Sequence, residues 1–295
     1  MVKLIRAKTA GFCFGVALAL KKLDKLIETE KDKKIYTLGP IIHNPQVLEH
    51  YRSKGVVVLE KVEDLPEEGG FVVIRAHGVP KDVEEKIKNK GFKIVDATCP
   101  KVKKAQMLIK KESSKGKTLL LFGEKTHPEV KGLLSYAAKN FYVFENIKEF
   151  REILSHIKGK EFFLAAQTTQ DRKEYNEIVS LAKEKIDEDI VVLDTICDTT
   201  RDRQKEAVEI AKLADCVIVV GGYNSGNTKR LAKVIRETGC RCIHVEDAHE
   251  IKREDLLGCQ VIGLTAGAST PKYVIDRVEE KIKNLLQDEE VKYES

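Results

Sequence analysis

The chain contains no tryptophan, and aromatic residues make up only 6% of its 295 residues. Proteins that grip single-stranded nucleic acid stack bases on aromatic side chains, so that class is excluded. A net charge of +5 is too small and too dispersed to bind duplexes through phosphate attraction. No apolar run approaches the roughly 20 residues a membrane helix needs. The apolar part of the opening stretch, MVKLIRAKTAGFCFG, is too short for a secretory signal. A cytoplasmic protein with neither membrane nor nucleic acid as partner is expected. In such a compartment seven cysteines do not make a disulfide framework, so they read as buried thiols, metal ligands or both.

What the chain does have is an internal repeat. Three cysteines each open an amphipathic helical stretch: Cys13 in KTAGFCFGVALALKKL, Cys99 in VDATCPKVKKAQ and Cys197 in VVLDTICDTTRDRQKEAVEIA. Val16, Leu20, Leu23 and Ile27 share one helical face in the first, Val102, Ala105 and Leu108 in the second, and Ala207, Ile210, Ala211 and Ala214 in the third. Further landmarks recur at near-constant offsets. His43, His127 and Ser225 follow their cysteines by 28 to 30 residues, in strand–turn–helix segments. Glu60, Glu145 and Glu246 follow by 46 to 49, each after a strand and before a short helix. His77, Thr168 and Ser269 follow by 64 to 72, in a small-residue turn between strand and helix.

Strands alternating with helices predict an α/β protein with small, mainly parallel sheets. The expected domains are 1–96, 97–194 and 195–295, the last with a charged tail, QDEEVKYES, that reads as a loose end or a clasp. Three like units around a pseudo-threefold axis, a trefoil-like arrangement, would bring equivalent turns together. Cys13, Cys99 and Cys197 would then meet without being neighbours in sequence.

A helix N-terminus favours the thiolate, and Pro100 suits the first position of a helix. Three thiolates suit zinc or an iron–sulfur cluster, and a four-iron cluster with three protein ligands keeps one iron free. The opposing reading of each cysteine alone is a packed core thiol. Cys216 and Cys259 are expected in the core. Cys240, Cys242 and His244 alternate on one strand, as a packed sheet face or a metal face.

The remaining turns are rich in His, Ser, Thr and Asn: His43 with Asn44, His77, His127 with Glu129, Gln167 with Thr168, Asn224 to Asn227, and Ser269. Donors of this kind at helix starts make a phosphate site; taken singly, each is also an ordinary helix cap or structural histidine. GGYNSGNT has the glycine spacing of a P-loop, but Asn227 stands where its lysine should be, which disfavours a nucleotide triphosphatase. Glu129 is the carboxylate of the His127 turn, placed either to relay a proton or to favour a helix dipole.

Taken together, AGFCFGV, IIHNPQV, RAHGV, DATCP, THPEV, QTT, DTICDTTRDRQ, NSGN and TAGAS make the chain resemble the 4-hydroxy-3-methylbut-2-enyl diphosphate reductase family, from about Lys3 to Ile282. The resemblance implies a three-lobed α/β fold around one [4Fe–4S] cluster held by Cys13, Cys99 and Cys197, with one iron not ligated by protein. It implies reductive dehydroxylation of an allylic diphosphate, with two electrons and two protons, to isopentenyl and dimethylallyl diphosphates. His43, His77, Ser225, Asn227 and Ser269 would hold the diphosphate, joined by Asn224 and Gly226 of the same turn. His127, Thr168 and Glu129 would serve the hydroxyl and its protonation. Electrons would come from a ferredoxin or flavodoxin, to a monomer or weak homodimer. The family often has Asn-Ser-Ser-Asn where this chain has Asn224-Ser225-Gly226-Asn227, so a backbone N–H would replace a hydroxyl at position 226. The rivals are a quinolinate-synthase-like [4Fe–4S] dehydratase, whose carboxylate substrates call for more Arg, Lys or Tyr, and a zinc-stabilised phosphate-binding module, which leaves Glu129 without a task.

Overall fold

The computed structural model describes residues 2–138, 140–157 and 161–292. It divides into two compact units, one formed by Met1–Cys13, His43–Val47 and Asp198–Ser295, the other by Phe14–Ile42 and Leu48–Cys197.

In chain order the elements begin with β1 (Lys3–Arg6), α1 (Phe14–Thr29), β2 (Ile35–Leu38), α2 (Pro45–Ser53), β3 (Val56–Leu59), β4 (Phe71–Ile74) and α3 (Lys81–Asn89). Next come β5 (Lys93–Asp96), α4 (Pro100–Ser113), β6 (Thr118–Phe122), α5 (Pro128–Leu134), β7 (Phe141–Phe144), α6 (Ile147–Leu154), β8 (Phe162–Ala166) and α7 (Arg172–Lys185). The last are β9 (Val191–Val192), α8 (Asp198–Ala211), β10 (Cys216–Val220), α9 (Gly226–Glu237), β11 (Arg241–Val245), β12 (Val261–Ala266) and α10 (Lys272–Lys292).

The strands form three four-stranded parallel sheets with one topology. The larger unit holds β3-β2-β4-β5 and β7-β6-β8-β9, and the smaller holds β11-β10-β12-β1. In each, the outermost strand on one side is the one that leads to a cysteine. For the first cysteine that strand is β1, which pairs with β12 in the register Lys3↔Val261 to Arg6↔Leu264. The expected first domain, 1–96, therefore gives up its opening strand to the sheet of the third. KLIR is a short, half-exposed edge strand, and nothing local marks its partner.

The central strands are unbroken apolar runs such as TLLLF, FFLAA and CVIVV, as strands covered on both faces must be. Alternate residues feed the two faces. Leu120, Phe122, Leu164 and Ala166 pack with Phe150 and Tyr175, while Leu119, Leu121, Phe163 and Ala165 face Ile109, Val130 and Leu133. In the smaller unit Ile218, Ile262 and Leu264 meet Val274, Ile275, Val278 and Ile282 of α10, and Val217 and Val219 meet Ala207, Leu231 and Ile235. Each such Val, Leu, Ile or Phe side chain contributes about 1.5–3 kcal/mol by leaving water.

The helix stripes shift slightly from expectation. In α1 the buried residues include Ala19, Leu20, Leu23 and Leu26, with Val16 and Ile27 half-buried. The short helix expected after each Glu landmark is α-helical only in α6. Its counterparts, Val62–Asp64 and Ala248–Glu250, are single 3-10 turns. At the C-terminus α10 continues to Lys292, so most of QDEEVKYES extends a helix, and its last three residues lie outside the described ones.

Candidate active site

In a parallel sheet every strand ends at the same edge as its neighbours, and the turns into the helices collect there. In the larger unit this edge gathers His77, His127, Glu129 and Thr168. His127 caps α5, its Nδ1 accepting the Glu129 N–H at 3.1 Å. When neutral, the ring therefore carries its proton on Nε2. Pro128 at the first helical position lacks the N–H that would go unsatisfied there. His77 meets His127 edge to face, with ring centroids 5.3 Å apart. The RAHG turn that presents His77 needs Gly78, whose φ of 76° is left-handed and whose added Cβ would lie 2.9 Å from Gln106 Nε2.

Glu129 is only 1% exposed, yet it is a carboxylate. A buried charge is costly unless it is hydrogen-bonded. One residue satisfies both of its oxygens: Thr168 donates its N–H to Oε1 at 2.6 Å and its hydroxyl to Oε2 at 2.9 Å. Thr168 follows β8 and Glu129 sits in the first turn of α5, so the pair is fixed by two adjacent elements. Such a pair can conduct a proton. Once Glu129 is protonated it can donate to Thr168 Oγ, which frees the hydroxyl proton to be given onward.

In the smaller unit the same edge gathers His43, Asn44, Ser225, Gly226, Asn227 and Ser269. Ser225 caps α9, its Oγ accepting the Thr228 N–H at 3.4 Å, and Ser269 Oγ lies 3.4 Å from it. Ser269 also donates to the His43 carbonyl at 3.3 Å. That carbonyl sits against Gly222, where an added Cβ would come within 2.6 Å. Asn44 caps α2 by accepting the Val47 N–H at 3.0 Å. Its amide nitrogen is buried with no partner among the described residues, and so are Asn227 Nδ2 and Thr228 Oγ1. An unsatisfied buried polar group costs about 1–3 kcal/mol. These groups, with the N–H of Gly226 at the first position of the helix, suit an acceptor-rich anion. Asn224, expected in the same set, is exposed.

Cys13, Cys99 and Cys197 are half-buried and in no disulfide among the described residues, each immediately before a helix. Their backbones are tied alike. The N–H of Cys13 goes to Ala268 O at 3.1 Å, that of Cys99 to Ala76 O at 2.9 Å, and that of Cys197 to Thr168 O at 2.9 Å. Each acceptor lies in the turn that carries Ser269, His77 or Thr168, so every cysteine is tied to the polar turn of the repeat before it in cyclic order. The set is three soft donors at helix starts, which suits a metal cluster bound through thiolate.

The family model described as LytB protein matches residues 4–283. The chain belongs to the LytB family. A relative from Nitratidesulfovibrio vulgaris (strain DP4), named 4-hydroxy-3-methylbut-2-enyl diphosphate reductase, is 49% identical over 292 residues, covering 96% of this chain and 100% of its own. One of the same name from Solidesulfovibrio magneticus is 52% identical over 288 residues, covering 96% and 100%. Among solved structures, the E-1-hydroxy-2-methyl-but-2-enyl-4-diphosphate reductase from Plasmodium falciparum matches with a TM-score of 0.88 and 26% identity, over 97% of this chain and 88% of that one. The structure of an (E)-4-hydroxy-3-methyl-but-2-enyl diphosphate reductase, described as the terminal enzyme of the non-mevalonate pathway, matches with a TM-score of 0.66 and 38% identity, over 96% and 100%.

The approach to each cysteine of this LytB chain has its own anchor, which sequence reasoning passed over. Before Cys13, Glu206 accepts the N–H groups of Lys8 and Thr9 at 2.7 and 2.9 Å, and buried Arg203 donates to Gly11 O at 2.9 Å and Ala266 O at 2.6 Å. Burial pushes the Glu206 carboxyl up, but the bonds from Thr9 and Lys8 outweigh it and hold the group below its ordinary range. Before Cys99, Asp96 accepts the Thr98 N–H at 2.9 Å and Lys103 at 2.7 Å, and again these bonds outweigh burial and hold its carboxyl low. Before Cys197, Thr195 Oγ bonds both the N–H and the carbonyl of Ala166, at 2.8 and 2.6 Å. The signal available in sequence was a charged pair, Arg203 and Glu206, beside the apolar stripe of α8.

The other cysteines stay out of the site. Cys240 and Cys242 pack against the core beside β10, and His244 bonds the Gly221 carbonyl at 2.8 Å while its ring lies 4.7 Å from that of Tyr223. Burial lowers the His244 pKa. This is a packed face.

Proposed function

We propose that the chain reduces 4-hydroxy-3-methylbut-2-enyl diphosphate to isopentenyl and dimethylallyl diphosphates, the last step of the methylerythritol phosphate route. The alcohol takes up two electrons and two protons, the C–O bond breaks, and the oxygen leaves as water. The observation that carries this reading is the buried Glu129–Thr168 pair, a proton path in a chain whose relatives bear the reductase name. No helix among the described residues is long and apolar enough to cross a membrane, and a cytoplasmic enzyme is part of the proposal.

Cys13, Cys99 and Cys197 would hold one [4Fe–4S] cluster per chain, leaving one iron without a protein ligand. When bound, the cluster supplies the electrons and a Lewis-acidic position for the departing hydroxyl. Ser225, Asn227, Ser269 and His43 hold the diphosphate through hydroxyl, amide and imidazole donors, with the Gly226 N–H and Asn224 beside them, and His77 serves as a further donor. Binding that remote group fixes the position of the reacting carbon. Thr168 and His127 orient the hydroxyl, and Glu129 passes its proton through Thr168 Oγ. A ferredoxin or flavodoxin donates the electrons, its acidic surface suited to the net charge of +5. The enzyme works as a monomer or weak homodimer. Its three repeats divide near residues 96 and 194, with β1 assigned to the third.

The test is anaerobic purification followed by iron and sulfide analysis, then incubation with the allylic alcohol diphosphate and a chemical reductant. About four iron and four sulfide per chain, with both five-carbon diphosphates released, is the expected result. Stoichiometric zinc without sulfide, or a cluster-loaded protein that leaves the substrate untouched, would overturn it.

A further inference from the structure

At the edge of the smaller unit's sheet opposite the substrate turns, Cys216 begins β10 and Cys259 lies just before β12. Their sulfur atoms are 3.1 Å apart, closer than two unbonded sulfurs ordinarily sit. Arg241, at the start of the neighbouring β11, donates Nη2 to Cys259 Sγ at 2.7 Å. A cation at that distance steadies negative charge developing on a sulfur, and a sulfur bearing that charge is the nucleophile of thiol chemistry. Cys216 sits deeper in the same cluster: burial, with the neighbouring Cys259 sulfur, pushes its thiol up to about 12, and Arg241, which bonds it too, works against that rise. Exposure sets the order of events, because Cys259 is 6% exposed and Cys216 0%, leaving Cys259 as the sulfur a small oxidant reaches.

We propose that Cys216 and Cys259 are a redox-active dithiol that closes to a disulfide with oxidants of the hydrogen peroxide class. The Cys259 thiolate attacks one peroxide oxygen, the O–O bond breaks, and a sulfenic acid forms with loss of hydroxide. That hydroxide takes the Cys216 proton, the Cys216 sulfur attacks the Cys259 sulfur, the S–O bond breaks, and the departing hydroxide becomes water with the proton that Cys259 gave up. In sum two thiols and one peroxide give one disulfide and two waters, and a small dithiol reverses the change. Disulfides in reducing compartments are usually of this transient kind.

The place gives the bond a consequence. β10 and β12 run in parallel from this end to the turns bearing Ser225 and Ser269. At about 3.3 Å per residue the strands separate the pair from those turns by somewhat more than 10 Å. A disulfide here ties together the two strands that present the diphosphate donors and touches none of those donors. The inference stands on the thiol pair alone and does not depend on the reductase reading.

Tryptic mapping tests it, since Cys216, Cys240, Cys242 and Cys259 fall in separate peptides, as do Cys13, Cys99 and Cys197. Anaerobically purified protein is treated with hydrogen peroxide, denatured in an alkylating reagent and digested. The expected product is a cross-linked pair of peptides carrying Cys216 and Cys259, two hydrogens lighter than their sum and separated by dithiothreitol. Cys259→Ser should abolish that species and leave Cys216 alkylated. Arg241→Gln should slow its formation roughly tenfold by removing the cation that touches the Cys259 sulfur. Recovery of both thiols alkylated after peroxide, or pairing of Cys216 with another cysteine, would overturn the proposal. An unchanged rate in Arg241→Gln would overturn the part given to Arg241.

Discussion

Replacing Glu129 with glutamine separates the proton path from the architecture around it. In the native pair both Thr168 donors point at the carboxylate, over 2.6 and 2.9 Å. Glutamine offers one oxygen and one NH2 group. The oxygen can keep the Thr168 N–H, and the hydroxyl can turn round to accept from the NH2 group, so no buried group is orphaned. Two charge-assisted bonds become neutral ones, a loss of about 1–3 kcal/mol that a protein of this size tolerates. The chemistry is affected differently, because an amide cannot take up and release the proton. Positioned acid–base groups contribute about 10²–10⁴ in rate, or roughly 3–5 kcal/mol of barrier. Anaerobic turnover with a dye reductant should fall by that factor, with iron content and KM little changed. Thr168→Val removes the hydroxyl and keeps the backbone N–H. If the two residues act as one path, the double variant should be no slower than the slower single one. Turnover of Glu129→Gln within tenfold of wild type at full iron content, or multiplicative losses in the double variant, would refute the reasoning.

Ser225→Ala and Asn227→Ala should each raise KM for the diphosphate by roughly 10- to 100-fold, the loss of one hydrogen bond to a charged group, with a smaller change in kcat. Arg203→Met leaves the Gly11 and Ala266 carbonyls without their buried donor, so iron per chain should fall and the cluster's electron paramagnetic resonance spectrum should change; Arg203→Lys should restore part of both. Glu206 has a depressed pKa in the folded chain, so its contribution is present above the ordinary glutamate value of about 4.3 and fades as pH falls through the lower folded value. Acid should therefore loosen residues 8 and 9 before Cys13, seen as faster amide exchange there. Glu206→Gln should remove that pH dependence.

The repeat, the sheets and the helix-start cysteines were legible because each rests on local patterning: a strand of apolar residues, a turn, an amphipathic stripe. The polar turns were legible as a class, since His43, His127 and Ser225 recur at one offset and His77, Thr168 and Ser269 at another. Three things were not. The pairing of β1 with β12 joins residues about 260 positions apart, and four residues of mixed character cannot specify it. The bonds of Arg203 and Glu206 to the loop before Cys13 depend on how α8 docks, which its sequence leaves open. The closeness of Cys216 to Cys259 follows from strand register, although each thiol was expected in the core.

The pairing of β1 bears on how the chain is made. During synthesis the nascent polypeptide can complete β3-β2-β4-β5 and then β7-β6-β8-β9 from contiguous stretches as they emerge. The residues before Cys13 have no sheet to join until β12 appears, after almost nine-tenths of the chain. Domains fold as units during synthesis, and distant pairings are slow to close. One of the three cysteines proposed as cluster ligands is therefore left on an unanchored leader while the segments holding the other two mature. Vectorial synthesis thus sets the earliest point at which an iron–sulfur assembly system could find Cys13, the first proposed ligand, in place. A circular permutant that begins at α1 and carries β1 behind α10 would remove the wait.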